Sequence, residues 1–364
     1  MKVLLLAGEE SGVLYAERLR RALPGCEFQT YQDHYKTSDL AVMGFWAVIK
    51  RIFFFLGVQR TMKRIIREWR PDVVVTIDYP GLNLKLAAYA KARGIPAVHI
   101  VCPQVWAWHQ GRIPKVAAAV NRLLCFFPFE PALFMDFEGK DFHAAFIGHP
   151  MVDIFAEENK GTATKEHGLL AILPGSRVGE IQRNLPRLLD AVCLLNQDLH
   201  VIIPAANGRA EAEIRAIISQ RGDPFTPEVV KGGARDLLRR ADCAAVASGT
   251  ATLEAALARC PTVLVYAVSA LFAWVARRVI TGVKHIGLAN VIAEKIGMEP
   301  PMPELLQEAF TPEAVAAQLS AWLNDAKARA CASRALDAVM ARLHSDGDAL
   351  GLAAREIREV VHAH

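Results

Sequence analysis

Short, continuous apolar runs recur along this chain. They alternate with segments whose apolar residues return every three or four positions. The first pattern predicts buried strands and the second predicts helices packed on them. In the first half, strands are expected at Val3–Ala7, Glu27–Tyr31, Val73–Ile77, Ala97–Val101, Leu123–Phe127 and Ala144–Ile147. One helix is expected after Ser11 as its N-cap, another up to Arg70 before Pro71, and a third from Asn83 to Gly94. In the second half "LLAILPGSR", "LHVIIPA", "PEVV", "DCAAVASGT" and "TVLVYAV" each lead into a helical segment. The stretches Pro312–Asn324, Ala326–Leu343 and Leu350–Val361 read as helices. Buried strands alternating with helices imply parallel sheets covered on both faces. The expected architecture is α/β, with two doubly wound Rossmann-like domains and a cleft between them. The polar stretch "EENKGTATKEH", Glu157–His167, reads as the linker.

The length of 364 residues, 52% of them hydrophobic, supplies material for two cores. A net charge of only +4 gives no footprint for nucleic acid. The seven cysteines are scattered without a C-x-x-C pair, and the histidines show no ligand spacing. Buried thiols in a reducing compartment are expected, with neither disulfides nor zinc. The opening "MKVLLLAGEESG" reads as a first strand and not as a signal peptide.

One segment breaks the ordinary pattern. In "GFWAVIKRIFFFLGVQRTMKRI", Gly44–Ile65, aromatic residues sit beside a basic cluster. Lys50, Arg51 and Arg60 interrupt it too often for a membrane span. As a helix it would place Phe45, Ile49, Ile52 and Leu56 on the core face, leaving Trp46, Phe53 and Phe54 outside that stripe. Apolar side chains flanked by Lys63, Arg64 and Arg67 suit an anionic membrane surface. A buried helix with a solvated basic flank is the alternative.

Candidate chemistry lies at strand ends, where open α/β sheets bind ligands. In "ASGTATLEAA", Gly249 and the amides of Thr250 to Thr252 open a helix and can receive an anion. A plain N-cap by Ser248 or Thr250 is the alternative. In "LPGSRVGEI", Ser176 and Arg177 sit at a second such junction, and arginine matches a phosphate with a bidentate fork. A surface arginine in a turn is the alternative. Two anion-friendly strand ends suit a diphosphate. The usual dinucleotide and P-loop signatures are absent, which disfavours a dehydrogenase or an ATPase. Asp346 and Asp348 form a D-x-D, read here as a turn and helix N-cap and not as a metal site. His149, in "GHP", could touch substrate or be structural. Trp106 and Trp108 could line the cleft or brace their loop.

In order along the chain, "AGEESG", "IDYPGLN", "PQVWAWHQGRI", "FIGHPMVD", "LPGSRVGEI", "ASGTATLEAAL", "LAN" and "PELLQE" resemble the lipid-A-disaccharide synthases. These are inverting glycosyltransferases of the two-domain GT-B fold, and the likeness runs from Val3 to about Ala317. The resemblance implies transfer of 2,3-diacylglucosamine from its UDP conjugate to 2,3-diacylglucosamine 1-phosphate. The products are a β-1,6-linked disaccharide 1-phosphate and UDP. It implies work at the cytoplasmic face of the inner membrane, with no cofactor and no bound metal. By the same resemblance residues 1–160 bind the acceptor and touch the membrane through Trp46, Phe53, Phe54 and Phe55. Residues 161–344 bind the donor, and a C-terminal helix at about 345–364 packs back on the first domain. Ser176, Arg177, Ser248, Gly249, Thr250, Thr252, Asn290, Glu304 and Gln307 match the donor side, with Glu304 placed to hold ribose hydroxyls.

The acceptor side departs from the family. Its Asp-x-Pro-Asp-Phe-Asn is "DYPGLN" here, so Gly81 stands where a second carboxylate belongs. Its Ser-Gly-Asp is Ser11-Gly12-Val13. "GLANVIAEK" also stands where the family tends to have Pro-Asn and then Ala-Gly-Arg. The remaining candidates for the catalytic base are Asp78 and Glu9, with Asp78 as a mere helix cap the alternative. Two rivals follow: a GT-B enzyme with another acceptor, or a catalytically weak protein that binds nucleotide-sugar or lipid at the membrane.

Overall fold

The computed structural model describes residues 1–36, 52–158, 164–268, 278 and 282–364. The chain forms two compact units, Met1–Asp153 with Leu343–His364, and Ile154–Arg342.

The first unit is built on β1 (Lys2–Ala7), α1 (Glu10–Ala22), β2 (Glu27–Thr30), α2 (Ile52–Trp69), β3 (Val73–Ile77), α3 (Pro80–Lys91), β4 (Ala97–Ile100), α4 (Ile113–Ala119), β5 (Arg122–Cys125) and β6 (His143–Phe146). Helix α5 (Pro150–Glu158) begins in it. All strand pairs are parallel, in the order β2-β1-β3-β4-β5-β6. The order reverses between β1 and β3, whose ends stand level, Ala7 opposite Ile77. Leu4, Leu6 and Val74 meet Val58, Met62 and Ile66 of α2 and Leu82 and Leu86 of α3.

The second unit comprises β7 (Glu166–Leu173), α6 (Val178–Leu195), β8 (His200–Ala205), α7 (Gly208–Ser219), β9 (Glu228–Lys231), α8 (Ala234–Arg240), β10 (Ala241–Ala247), α9 (Thr250–Leu257), β11 (Thr262–Tyr266), α10 (Leu288–Lys295), β12 (Glu304–Leu306), α11 (Pro312–Asn324) and α12 (Ala326–Met340). Its parallel order is β12-β11-β10-β7-β8-β9, reversing between β7 and β10. Ile181, Leu185 and Leu189 of α6 pack with Val315 and Leu319 of α11 on Leu170, Ile172 and Val265. The chain then returns to the first unit with α13 (Ala349–His362), which packs on α1. Asp348 caps α13 by accepting from Gly351 N at 2.6 Å, the role read for it in the sequence.

Several expectations need correction. Helix α1 starts at Glu10 with Glu9 as N-cap, so Ser11 lies inside it. Helix α3 starts at Pro80, whose fixed φ suits a first helical turn, so Asn83 is internal. Strand β12 was not foreseen, because three residues between prolines and a turn carry no readable period. Among the described residues no helix is long and apolar enough to cross a membrane. Of the aromatic segment, Phe45–Arg51, Trp46 included, lies outside the described residues. Within α2 the core face runs through Val58, Met62, Ile65 and Ile66, and at 3.6 residues per turn it extends back to Phe54 and Phe55. Leu56, expected in the core, is 40% exposed, and Phe53 is 86% exposed. Both share the outward face with Arg60, Arg64 and Arg67, which are also exposed.

Candidate active site

Each sheet reverses its strand order once, and each reversal carries sequence-predicted residues at its carboxyl end. Ligands of open α/β sheets bind at such points.

In the first unit, Glu9 follows β1 and Asp78 follows β3. The turn after β3 is unusual: Asp78 and Tyr79 both have positive φ, 50° and 53°. Non-glycine residues rarely adopt this conformation. Asn83, fully buried, holds it. Its Nδ2 donates to Asp78 O at 2.7 Å, Ile77 O at 3.1 Å and Leu6 O at 3.3 Å. Its Oδ1 accepts from the buried hydroxyl of Tyr31 at 2.8 Å. Asp78 Oδ1 accepts from Tyr79 N at 2.7 Å and makes no cap to α3. Burial raises the Asp78 carboxyl above its ordinary value, against the opposing pull of that hydrogen bond. Burial, and then the charge of Asp78, raises Glu9. Burial, and then the charge of Glu9, raises the Tyr79 phenol. The result is a pair of half-buried carboxyls that sense each other and hold protons more tightly than in water. Gly81, the second residue of α3, is exposed, and a Cβ added there would meet nothing within 4 Å.

In the second unit a cavity of about 210 Å³ opens at the ends of β7, β8 and β10. Ser176 lines it from one side and Ser248, Gly249 and Thr250 from the other. Gly249 is the N-cap of α9, with φ 151° and ψ −164°, a conformation essentially reserved for glycine. The expected cap by Ser248 or Thr250 is therefore replaced by a residue with no side chain, and no side-chain hydrogen bond caps the helix. The first turn of α9 thus faces the cavity with its dipole. Thr252, by contrast, is buried and donates to Gly249 O at 2.8 Å, fixing the turn from within. Across the cavity Gly175 (φ 123°) lets Glu180 fold close, since a Cβ there would lie 2.7 Å from that of Glu180. Arg177 does not line the cavity. It is the N-cap residue of α6, and its Nη1 donates to Glu180 Oε1 at 2.7 Å.

Asn290, Glu304 and Gln307 come together but face the protein itself. Glu304 Oε1 accepts from Gly287 N at 3.0 Å and Asn290 Nδ2 at 2.8 Å, and Oε2 from Ile286 N at 3.1 Å. Asn290 also donates to Met302 O at 2.8 Å and accepts from Met302 N at 2.9 Å. The Gln307 amide fits the backbone of Val268, donating to its O and accepting from its N, both at 3.2 Å. The expectation of Glu304 as a ribose acceptor thus meets a carboxylate already accepting from three N–H groups. Glu304 braces the segment before α10, Asn290 ties α10 to Met302, and Gln307 holds the chain just after β11.

The sequence reading missed Glu180 and Glu254, which also line the cavity. Glu254 lies one turn after Thr250 on α9, so helical spacing was the available signal. Arg235 Nε donates to it at 3.0 Å. Trp106 is a brace, buried and donating Nε1 to Glu130 at 3.0 Å, whereas Trp108 is 39% exposed. His149 is structural: buried against Phe126 and Phe127, it accepts from Met151 N at 3.1 Å.

Two parallel sheets, each with a ligand-facing reversal, define the GT-B class that includes glycosyltransferases and UDP-sugar epimerases. Similar folds are found in the S. aureus MnaA–UDP co-structure, with TM-score 0.65, 12% identity, and coverage of 100% of this chain and 97% of that one. The UDP-GlcNAc 2-epimerase from Neisseria meningitidis bound to UDP-GlcNAc gives TM-score 0.59 and 11% identity over 100% of both chains. At such identity the likeness concerns the fold alone. Sequence narrows the class. Residues 3–347 match the lipid-A-disaccharide synthetase family. The lipid-A-disaccharide synthase of Syntrophus aciditrophicus (strain SB) is 35% identical over 385 residues, 99% of this chain and 96% of the relative. That of Neisseria meningitidis serogroup C is 37% identical over 343 residues, 86% of each. This chain belongs to the lipid-A-disaccharide synthetase family and is a glycosyltransferase.

Proposed function

We propose that this enzyme transfers 2,3-diacylglucosamine from its UDP conjugate to the 6-hydroxyl of 2,3-diacylglucosamine 1-phosphate, releasing UDP. The family match across almost the whole chain carries this reading. The donor diphosphate is assigned to the cavity at the start of α9, between Ser176 and the Ser248–Thr250 turn. As the glycosidic C–O bond to UDP breaks, negative charge grows on the leaving phosphate. The start of α9 stabilises it, and Arg177 joins by exchanging its Glu180 partner for the phosphate. On the acceptor side, Asp78 or Glu9 accepts the proton of the attacking hydroxyl while the new C–O bond forms with inversion. Glu304, with Asn290 and Gln307 beside it, serves the donor by fixing the backbone around α10 and the end of β11.

The place of action is the cytoplasmic face of the inner membrane. Phe53 and Leu56 stand exposed on the same face of α2 as Arg60, Arg64 and Arg67, the distribution of an interfacial helix. Phe54 and Phe55, partly packed inside, support that face. Gly81 favours one second reading, a slow enzyme or a changed acceptor. Incubating purified protein with both diacylglucosamine substrates decides between them. Disaccharide formed with UDP at a good rate supports the synthase, slow formation of both supports the slow enzyme, and no disaccharide despite intact donor supports the changed acceptor.

A further inference from the structure

Cys102, Cys125 and Glu130 meet inside the first unit although they belong to three separate places in the chain. Cys102 follows β4, Cys125 ends β5, and Glu130 closes the turn beyond it. Their two Sγ atoms and a carboxylate oxygen all lie within 4.8 Å of one another, and all three residues are buried. We propose that these side chains form a binding site for a soft divalent cation of the zinc class, holding the β4 and β5 ends together.

Ligand type and placement both point this way. Two thiolates and a carboxylate are donors that zinc accepts, with bonds of about 2.3 Å to sulfur and 2.0–2.2 Å to oxygen. Around a tetrahedral ion such atoms stand roughly 3.5–3.8 Å apart. The trio therefore has to contract by about an ångström at most, within the reach of side-chain rotation. The carboxylate is already oriented by outer partners, as ligating groups usually are. Glu130 Oε1 accepts from Trp106 Nε1 at 3.0 Å, and Oε2 accepts from Phe127 N at 3.1 Å. The Phe126 amide and the Cys102 thiol also bond this carboxylate, and a metal would take the place of the Cys102 proton.

The thiols already bond within the trio, Cys102 to Cys125 and to Glu130, and make only weak contacts outside it. Cys102 Sγ contacts Pro103 O at 3.3 Å and Cys125 Sγ contacts Leu123 O at 3.9 Å, both weak bonds. On binding, each thiol and the Glu130 carboxyl, which burial raises to about 8, release their protons to solvent as sulfur–metal and oxygen–metal bonds form, with no change of oxidation state. The Pro103 carbonyl or one water completes the coordination. The backbone is bent to suit: Val101, β-branched, has φ 76°, and this turn brings Cys102 back beside the end of β5. The ion would thus tie β4, β5 and the loop of Trp106 into one rigid piece. It takes no part in the transfer reaction, whose proposed base is elsewhere in the unit.

The test uses the full-length protein, reduced and stripped with a chelator, then given one equivalent of zinc. Zinc-edge X-ray absorption should show two sulfur neighbours near 2.3 Å with oxygen or nitrogen completing the shell. A shell of oxygen and nitrogen alone, or no retained zinc, overturns the proposal. Cobalt titration supplies a second measurement: a sulfur-to-cobalt charge-transfer band saturating at one equivalent. Cys102→Ser and Cys125→Ser should each abolish the band. Joint replacement of Cys26, Cys193 and Cys331 by Ser, the less buried cysteines, should leave it intact. A band that follows the second set and not the first also overturns it. The absorption experiment needs no variant, so a misfolded substitution does not obscure the answer.

Discussion

Arg177 donates Nη1 to Glu180 Oε1 at 2.7 Å, so the guanidinium at the start of α6 is tethered to a carboxylate that lines the cavity before α9. The arginine side chain is 57% exposed, and such pairs contribute little to stability. Arg177→Ala should therefore fold normally. If Arg177 stabilises the leaving diphosphate, turnover should fall about 10²–10³-fold, as for loss of one positioned donor. Steady-state UDP release measures this, and parental rates in the variant would remove Arg177 from the site.

Asp78 and Glu9 both hold their protons above the ordinary carboxyl range. A base must be ionised to act, so activity should fall as pH drops through these raised values. Asp78→Asn should cost roughly 10²–10⁴-fold if Asp78 is the base. If Glu9 is the base, the same change should spare turnover and move the acidic limb to lower pH, because the neighbouring charge that raises Glu9 is gone. Glu9→Gln should cost roughly 10²–10⁴-fold if Glu9 is the base and spare turnover if Asp78 is. The pH–rate profiles of the two variants assign the role, and two parental profiles would leave neither carboxyl as the base.

Phe53 and Leu56 are exposed, while Phe54 and Phe55 pack with Tyr35, Tyr79 and one another. Phe53→Ser with Leu56→Ser should thus remove apolar surface without opening the core. Sedimentation with vesicles containing anionic lipid should show release of most bound protein, and added salt should weaken the remaining contact. Unchanged partitioning would move membrane contact elsewhere.

These cases show what the sequence could reveal. Strand β10 is buried at every position, so "DCAAVA" was readable as a central strand without knowledge of its neighbours. The uncapped turn that opens α9 was readable because Gly249 interrupts a strand–helix junction. The exposed face of α2 was half-readable: its composition left Phe53 outside the core, but the register was set by Val58, Met62 and Ile66, which lie beyond the aromatic cluster. The convergence of Cys102, Cys125 and Glu130 was invisible, because it depends on which strands are neighbours. The occupation of Glu304 was hidden for the same reason, since its partners come from a segment distant in sequence.

His149 is buried and its imidazole is held down to about 3 by the loss of solvent. Its unfolded value is near 6.5. Below that value the unfolded chain takes up a proton that the folded chain refuses, so this residue costs stability as pH falls from 6.5 toward 3. His149→Asn keeps an acceptor for Met151 N but cannot titrate. The stability gap between parent and variant should shift in the variant's favour by about 1.4 kcal/mol for each pH unit lost below 6. Urea unfolding at pH 7 and pH 5 measures the gap, and a gap independent of pH would mean that His149 is protonated in the folded state.

Gly81 is the sharpest departure from the family pattern, and the structure makes its reversal practicable. The residue lies at the second position of α3, after Pro80, is exposed, and has open space around a new Cβ. Glycine costs a helix roughly 0.5–1 kcal/mol relative to alanine. A carboxylate in the first turn also gains from the helix dipole, by about 0.3–1 kcal/mol. Gly81→Asp should therefore leave the protein as stable as the parent or slightly more so, and any change in activity then reports chemistry. If the parent is slow because a base is missing, disaccharide synthesis should rise by roughly 10²–10⁴-fold, the range of general-base catalysis. If Asp78 or Glu9 already serves, the parent turns over well and Gly81→Asp brings no gain. Pairing the change with Asp78→Asn separates the two fully. Rescue of the weakened Asp78→Asn variant by Gly81→Asp would show that a carboxylate on α3 can take the proton. A failure to rescue, in a stably folded double variant, would bind the reaction to the strand-end carboxyl itself.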